Sequence, residues 1–145
     1  MINIICSGKI KEKYLTELID DYKTRISKYH KINIIEIKDE NDLKSEAINI
    51  LKHIGPRDYG VTCAIDGETM TSIEFATFID KTFLDSGTID FVIGSSLGLD
   101  TTVYERADKK LSFSKFTMPH GLFRGVLLEQ IYRAFKINNN EKYHK

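Results

Sequence analysis

The chain has 145 residues, 41% hydrophobic and 10% aromatic, enough for one compact domain with a real core and too few for two. Twenty-one basic residues against 21 acidic ones leave a net charge of zero, so any nucleic-acid partner must be held by a local patch and not by the global field. The two cysteines, Cys6 and Cys63, lie in apolar runs and read as small buried hydrophobes, and no Cys or His spacing marks a metal site.

MINIICS reads as a short buried strand followed by the basic loop GKIKEK. Its lysine arrives before a signal-peptide core can form, and nowhere do about 18 apolar residues run together as a membrane span requires, so a cytoplasmic protein is expected. Tyr14, Leu15, Leu18, Ile19, Tyr22, Ile26 and Tyr29 fall at helical spacing. INIIEI is a second strand, and Leu43, Ala47, Ile50, Leu51 and Ile54 mark a helix stopped by Gly55 and Pro56. YGVTCAI is a third strand, with a turn expected at DGE. Thr71 and Glu74 form a capping-box pair that opens a helix through Phe83. TIDFVIG is a fourth strand, and after the loop SSLGLD, Asp100 or Thr101 caps a short helix to Arg106. LSFSKFTMPHG has neither a strand nor a helix period, yet it precedes GVLLEQIYRAFKI, the most helix-like run in the chain. This alternation predicts an α/β domain with a mostly parallel sheet flanked by helices on both faces.

Ligands of such sheets bind beyond the carboxyl ends of the strands, which singles out DGE, SSLGLD and LSFSKFTMPHG. No Walker A, GxGxxG or GxSxG motif is present, so the residue pattern alone reads as an α/β ligand-binding domain. A hydrolase would need a nucleophile and base that no motif offers. A non-catalytic RNA- or nucleotide-binding module would share the basic residues without any reason to bind a methyl donor.

The combination of SGKIKEKY, FVIGSSLGL, LSFSKFTMPHGLFRGVLLEQIYRAFKI and the terminal YHK resembles the RlmH family, the SPOUT-class pseudouridine N3-methyltransferases of 23S rRNA. The signature LSxSxxTxPHxLxRxxLxEQxYRA is long and rich in fixed polar positions, and the likeness runs nearly end to end. It implies one SPOUT domain over residues 1–145 with a trefoil knot within about 88–137, a homodimer, S-adenosyl-L-methionine as donor and S-adenosyl-L-homocysteine as product. It also implies that Cys63, Gly94, Phe113, Ser114, Lys115, Phe116, Thr117 and Met118 hold the cofactor, and that His120, Glu129, Arg133, Tyr143 and His144 surround the substrate, with no metal. The chain departs from the family pattern at Cys63, Ser95, Leu97, Gly121 and Gly125.

The implied reaction moves a methyl group to N3 of a pseudouridine, an imide nitrogen that is nucleophilic only once its proton is lost. His120 is a candidate acceptor, Arg124 and Arg133 are candidates to steady the flanking oxygens, and Glu129 with Arg133 also reads as an ordinary intrahelical ion pair. Arg124, Arg133, Lys136, Lys142 and Lys145 would attract RNA, whereas Lys9, Lys11 and Lys13 read as solvated charges. The last helix is apolar over more than one stripe, which predicts burial against its own sheet and against a partner subunit. NNNEKYHK reads as a frayed end by composition, and by the resemblance as a substrate-binding tail.

Overall fold

The computed structural model describes residues 1–145. Strands β1 (Ile2–Ser7), β2 (Ile32–Ile37), β3 (Tyr59–Thr69), β4 (Ile89–Ile93) and β5 (Lys109–Ser112) alternate with helices α1 (Lys13–Ser27), α2 (Leu43–Leu51), α3 (Ser72–Asp85), α4 (Thr101–Arg106) and α5 (His120–Asn138). All strand pairs are parallel, in the order β2-β1-β4-β3-β5. The unbroken apolar character of β1 and β4 follows from this order, because both strands are central and every residue of each is buried. Helices α1, α3 and α5 cover one face around Ile2, Ile4, Val61 and Phe91, and α2 and α4 cover the other around Ile5 and Val92.

Helix starts are fixed by side chains. Thr71 Oγ1 accepts from the Glu74 amide at 3.1 Å, and Glu74 Oε1 accepts from the Thr71 amide at 2.9 Å, so both halves of the capping box are formed. Asp100, and not Thr101, caps α4 by accepting from the Thr102 amide. Asp42 caps α2 in the same way.

Three segments differ from expectation. DGE is not a turn but the inside of β3, which runs on to Thr69 with a bulge: Cys63 and Glu68 both pair with Leu111 of β5. Gly67 permits the crossing, since a Cβ there would lie 2.6 Å from the Leu111 carbonyl carbon. The aperiodic segment contributes Leu111 and Ser112 to β5. Third, α5 finds cover on several sides within its own chain, lying on the sheet between α1 and α3. A Cβ at Gly125 would sit 2.7 Å from Leu18 Cδ2 and one at Gly121 3.1 Å from Leu15 Cδ1, so the two glycines, a helical turn apart, let α5 approach α1 closely. Most of the two-sided apolar pattern of α5 is thus covered within its own chain, and Leu122 stays exposed. Arg124 is corrected as well: it is 2% exposed, donating to Glu36 Oε2 at 2.9 Å and to the Gly8 carbonyl at 3.2 Å, so it faces neither RNA nor a substrate oxygen.

Candidate active site

β3 and β4 are neighbours, yet the chain leaves β3 for α3 on one face and β4 for α4 on the other. Their carboxyl ends thus diverge, and a cavity of about 660 Å³ opens there. Its wall has three parts: the β3 bulge with Cys63 to Asp66, the turn after β4 with Gly94, Ser95, Ser96, Gly98 and Leu99, and the segment from Phe113 to His120 without Lys115.

Each part has a local cause. The bulge exists because Gly67 lets β5 cross, which bows Ala64, Ile65 and Asp66 outward. The turn closes on itself: Gly98 has φ +86° and a Cβ on Gly94 would lie 2.6 Å from the Gly98 carbonyl oxygen. Gly94 is thus needed first by the turn's own backbone, and the space it leaves is a consequence. In the third part Phe113 is anchored edge-on against Phe75 and Phe123 at centroid distances of 5.6 and 5.3 Å, and Ser114 Oγ accepts from the Phe116 amide. Phe116 projects from that turn with 83% exposure, so it rims the cavity and does not pack in the core.

Of the eight expected cofactor residues, Cys63, Gly94, Phe113, Ser114, Phe116, Thr117 and Met118 line this cavity and Lys115 is exposed outside its wall. Burial pushes the Cys63 thiol up to about 12, so it stays protonated at neutral pH and is a wall atom, not a nucleophile. The wall is largely apolar, with hydroxyls at Ser95, Ser96, Ser114 and Thr117 and one carboxylate, Asp66, which is paired to Lys110 at 2.7 Å. Helix α5 begins at the rim without a side-chain cap, so its first amides have no side-chain partner. His120, the first helical residue, is exposed there. Asp66 belongs to DGE, one of the three segments singled out from sequence, whereas Ala64 and Ile65 were not expected; Gly67 inside a strand pattern was the available sign of a bulge.

The five expected substrate residues are not brought together. His120 stands at the cavity, whereas Glu129, Arg133, Tyr143 and His144 form a separate cluster; 13 residues of helix put Arg133 about 20 Å along the axis from His120. Glu129 Oε1 accepts from Arg133 Nη2 at 2.7 Å, Arg133 Nε at 3.0 Å and the Tyr143 hydroxyl at 3.0 Å. Arg133 Nη1 lies 3.1 Å from His144 Nδ1 and its guanidinium 4.8 Å from the Tyr143 ring centre. Burial and the Glu129 hydrogen bond hold Tyr143 well above the ordinary phenol range. A face of the Tyr143 ring is occupied by Arg133, while His144 remains exposed.

The model of the family described as "Predicted SPOUT methyltransferase" matches residues 1–144. A ribosomal RNA large subunit methyltransferase H of Clostridium botulinum is 49% identical over 99% of both chains, and one of Bifidobacterium animalis subsp. lactis is 46% identical over the same share. Among solved structures, a probable methylase family protein from Haemophilus influenzae Rd KW20 superposes with a TM-score of 0.60 at 15% identity, over 99% of this chain and 70% of that one. The SpoU methyltransferase AviRb from Streptomyces viridochromogenes gives 0.52 at 8% identity, over 98% and 62%. These two likenesses concern the fold.

Proposed function

The chain belongs to the SPOUT methyltransferase family, and from that premise we propose that it methylates 23S rRNA, at N3 of a pseudouridine, with S-adenosyl-L-methionine as donor. The observation that carries the reading is the cavity: seven of the eight residues implied by the family signature line one space, at the crevice where this fold takes ligands.

The residues present fit such a cofactor. The cradle at Gly94 and Gly98 is one a side chain would disturb, the walls offered by Ile65, Leu99, Phe113 and Met118 suit an adenine, and the hydroxyls of Ser95, Ser114 and Thr117 suit ribose and amino-acid groups. When bound, the cofactor supplies a methyl group already activated by its sulfonium. The protein's share is to align the acceptor, exclude water and manage the N3 proton. His120 at the rim accepts that proton, and the free amides that open α5 stabilise the charge left on the flanking carbonyl oxygens.

The reading includes a homodimer, in which the tail cluster of one subunit meets the cavity of the other. Its support is the separation of His120 from Glu129 and Arg133 along α5, with Tyr143 and His144 bonded to those two side chains. It includes a trefoil knot within about residues 88–137, supported by a path in which the chain leaves β4, crosses β3 to form the edge strand β5, and returns as α5 between α1 and α3. It also places the enzyme in the cytoplasm, with ribosomes; no helix is long and apolar enough to cross a membrane.

The test is methyl transfer from labelled S-adenosyl-L-methionine to ribosomes of a strain lacking the gene, followed by mass spectrometry of the 23S rRNA. A single added methyl on a pseudouridine is expected. Methylation of another nucleoside, or none, would remove the reading.

A further inference from the structure

We propose that Glu141 is a positioning residue: together with Tyr29 and Lys136 it forms a latch that sets the course of the tail and so the placement of Tyr143 and His144. The inference deepens the proposed function and rests on its reading of the tail as the part that holds the RNA.

The asparagine run does not fray. Helix α5 ends in a Schellman motif, with the Asn140 amide donating to the Ile137 carbonyl at 3.1 Å and the Glu141 amide donating to the Lys136 carbonyl at 3.0 Å. Asn140 takes φ +54°, a left-handed conformation that asparagine tolerates better than most side chains. In this motif an apolar contact commonly joins the residue after the left-handed one to the helix residue whose carbonyl it caps. Here those two positions hold Glu141 and Lys136, joined by an ion pair at 3.0 Å.

A second partner comes from the far end of the sequence. The Tyr29 hydroxyl, just beyond α1, reaches both Glu141 carboxylate oxygens at 2.9 and 3.0 Å, and the Tyr29 ring stacks parallel on Phe135 at 5.8 Å. Lys136 Nζ lies 5.5 and 5.4 Å from the ring centres of Tyr29 and Tyr132. The Lys136 and Tyr29 hydrogen bonds hold the Glu141 carboxyl below its ordinary range, consistent with an anion at neutral pH. Two residues on, Tyr143 lies edge-on against Tyr132 at 4.9 Å and bonds Glu129, and His144 meets Arg133. Glu141 is thus the hinge pin at which a helix that runs away from the core is turned back onto it. No other hydrogen bond joins residues 139–142 to α1 or the turn that follows it.

Two variants test the latch in the full-length protein. Tyr29→Phe removes the hydroxyl and keeps the ring stack; Glu141→Gln keeps an acceptor for Tyr29 and removes the charge seen by Lys136. In each, KM for ribosomes is expected to rise about threefold to tenfold, with kcat and S-adenosyl-L-methionine affinity unchanged, as loss of charge-assisted hydrogen bonds that position and do not react predicts. In Tyr29→Phe the Glu141 amide should also exchange with deuterium faster than in the wild type. An unchanged KM, or a fall in kcat alone, overturns the latch. Removal of Tyr143 to Lys145, run beside these variants, tells the two failures apart: if it abolishes methylation while the latch variants behave as wild type, only the latch is wrong. If the truncated enzyme keeps its full rate, the tail reading itself has failed and the latch with it.

Discussion

At the start of α5, His120 is exposed, the first amides lack a cap, and the neighbouring walls come from three separate segments around an open space. At its other end Glu129, Arg133, Tyr143 and His144 are bonded to one another and the following turn is closed by a Schellman motif. One helix thus carries an end with unused hydrogen-bonding capacity and an end whose polar groups are already paired. The unused groups are what a bound ligand can satisfy, whereas the paired ones define a rigid shape that can be presented to something else.

Gly94→Val attacks the open end and has the largest expected effect. The new side chain must displace the Gly98 carbonyl, now 2.6 Å from where its Cβ would sit, so the turn that forms one cavity wall is lost. Calorimetric titration should show S-adenosyl-L-methionine affinity reduced by about 100-fold or more while circular dichroism stays that of the wild type. Full affinity in the variant would mean that the turn after β4 is no part of the cofactor site.

Deleting Tyr143 to Lys145 attacks the closed end, and separates the two regions by their readouts. Methylation of ribosomes should fall at least about 100-fold, with S-adenosyl-L-methionine affinity within about twofold of wild type, because the cavity draws no residue from the tail. Equal losses in both would contradict a division of labour along α5.

Asp90→Asn acts at the amino-terminal end of the central strand β4, away from the cavity, and sharpens the comparison by leaving both regions alone. Asp90 is fully buried at the start of β4; it accepts from Asn3 Nδ2 at 2.8 Å, and its other oxygen has no donor. Burial, and then the neighbouring Asp58 carboxylate, push its carboxyl up to about 7 from the ordinary 3.8. Between those values the folded chain retains a proton that the unfolded chain has released, so stability falls as pH rises through that window and stays low above it. The amide cannot ionise, so the fall should vanish and Tm at pH 8 should rise by about 3 °C or more, with methyl transfer unchanged. Melting curves at pH 5 and 8 that match the wild type would show that Asp90 is no source of that dependence.

Legibility from sequence follows the same division. The strands of the sheet centre read correctly because burial on both faces leaves unbroken apolar runs, and Thr71 with Glu74 read correctly because a capping box is a local matter. β5 did not, since Lys109 and Lys110 look like solvated charges until Glu68 and Asp66 of the neighbouring strand neutralise them. The bulge that holds those two carboxylates depends on a backbone crossing between residues more than forty positions apart. The role of Gly121 and Gly125 was not legible either, because it depends on how closely Leu15 and Leu18 of α1 approach α5. The three segments that wall the cavity were legible from the rule that such sheets bind ligands beyond the carboxyl ends of their strands, whereas the individual lining residues came only from the family resemblance, because a ligand-lining loop has no period of its own. The distance between His120 and Arg133 follows from their spacing once the helix is known to start at His120.

The separation is the strongest reason to expect one site from two copies, and coexpression tests it directly. Chains carrying Gly94→Val and chains lacking Tyr143 to Lys145 should each be inactive alone, since one lacks the cavity and the other the tail. Coexpressed with different tags and purified on both in turn, the mixed dimers pair an intact tail with an intact cavity at one of their two sites, and methylation of ribosomes should return to roughly half the wild-type rate. Mixed dimers that form but remain as inactive as either parent would contradict a shared site and return the whole reaction to a single chain.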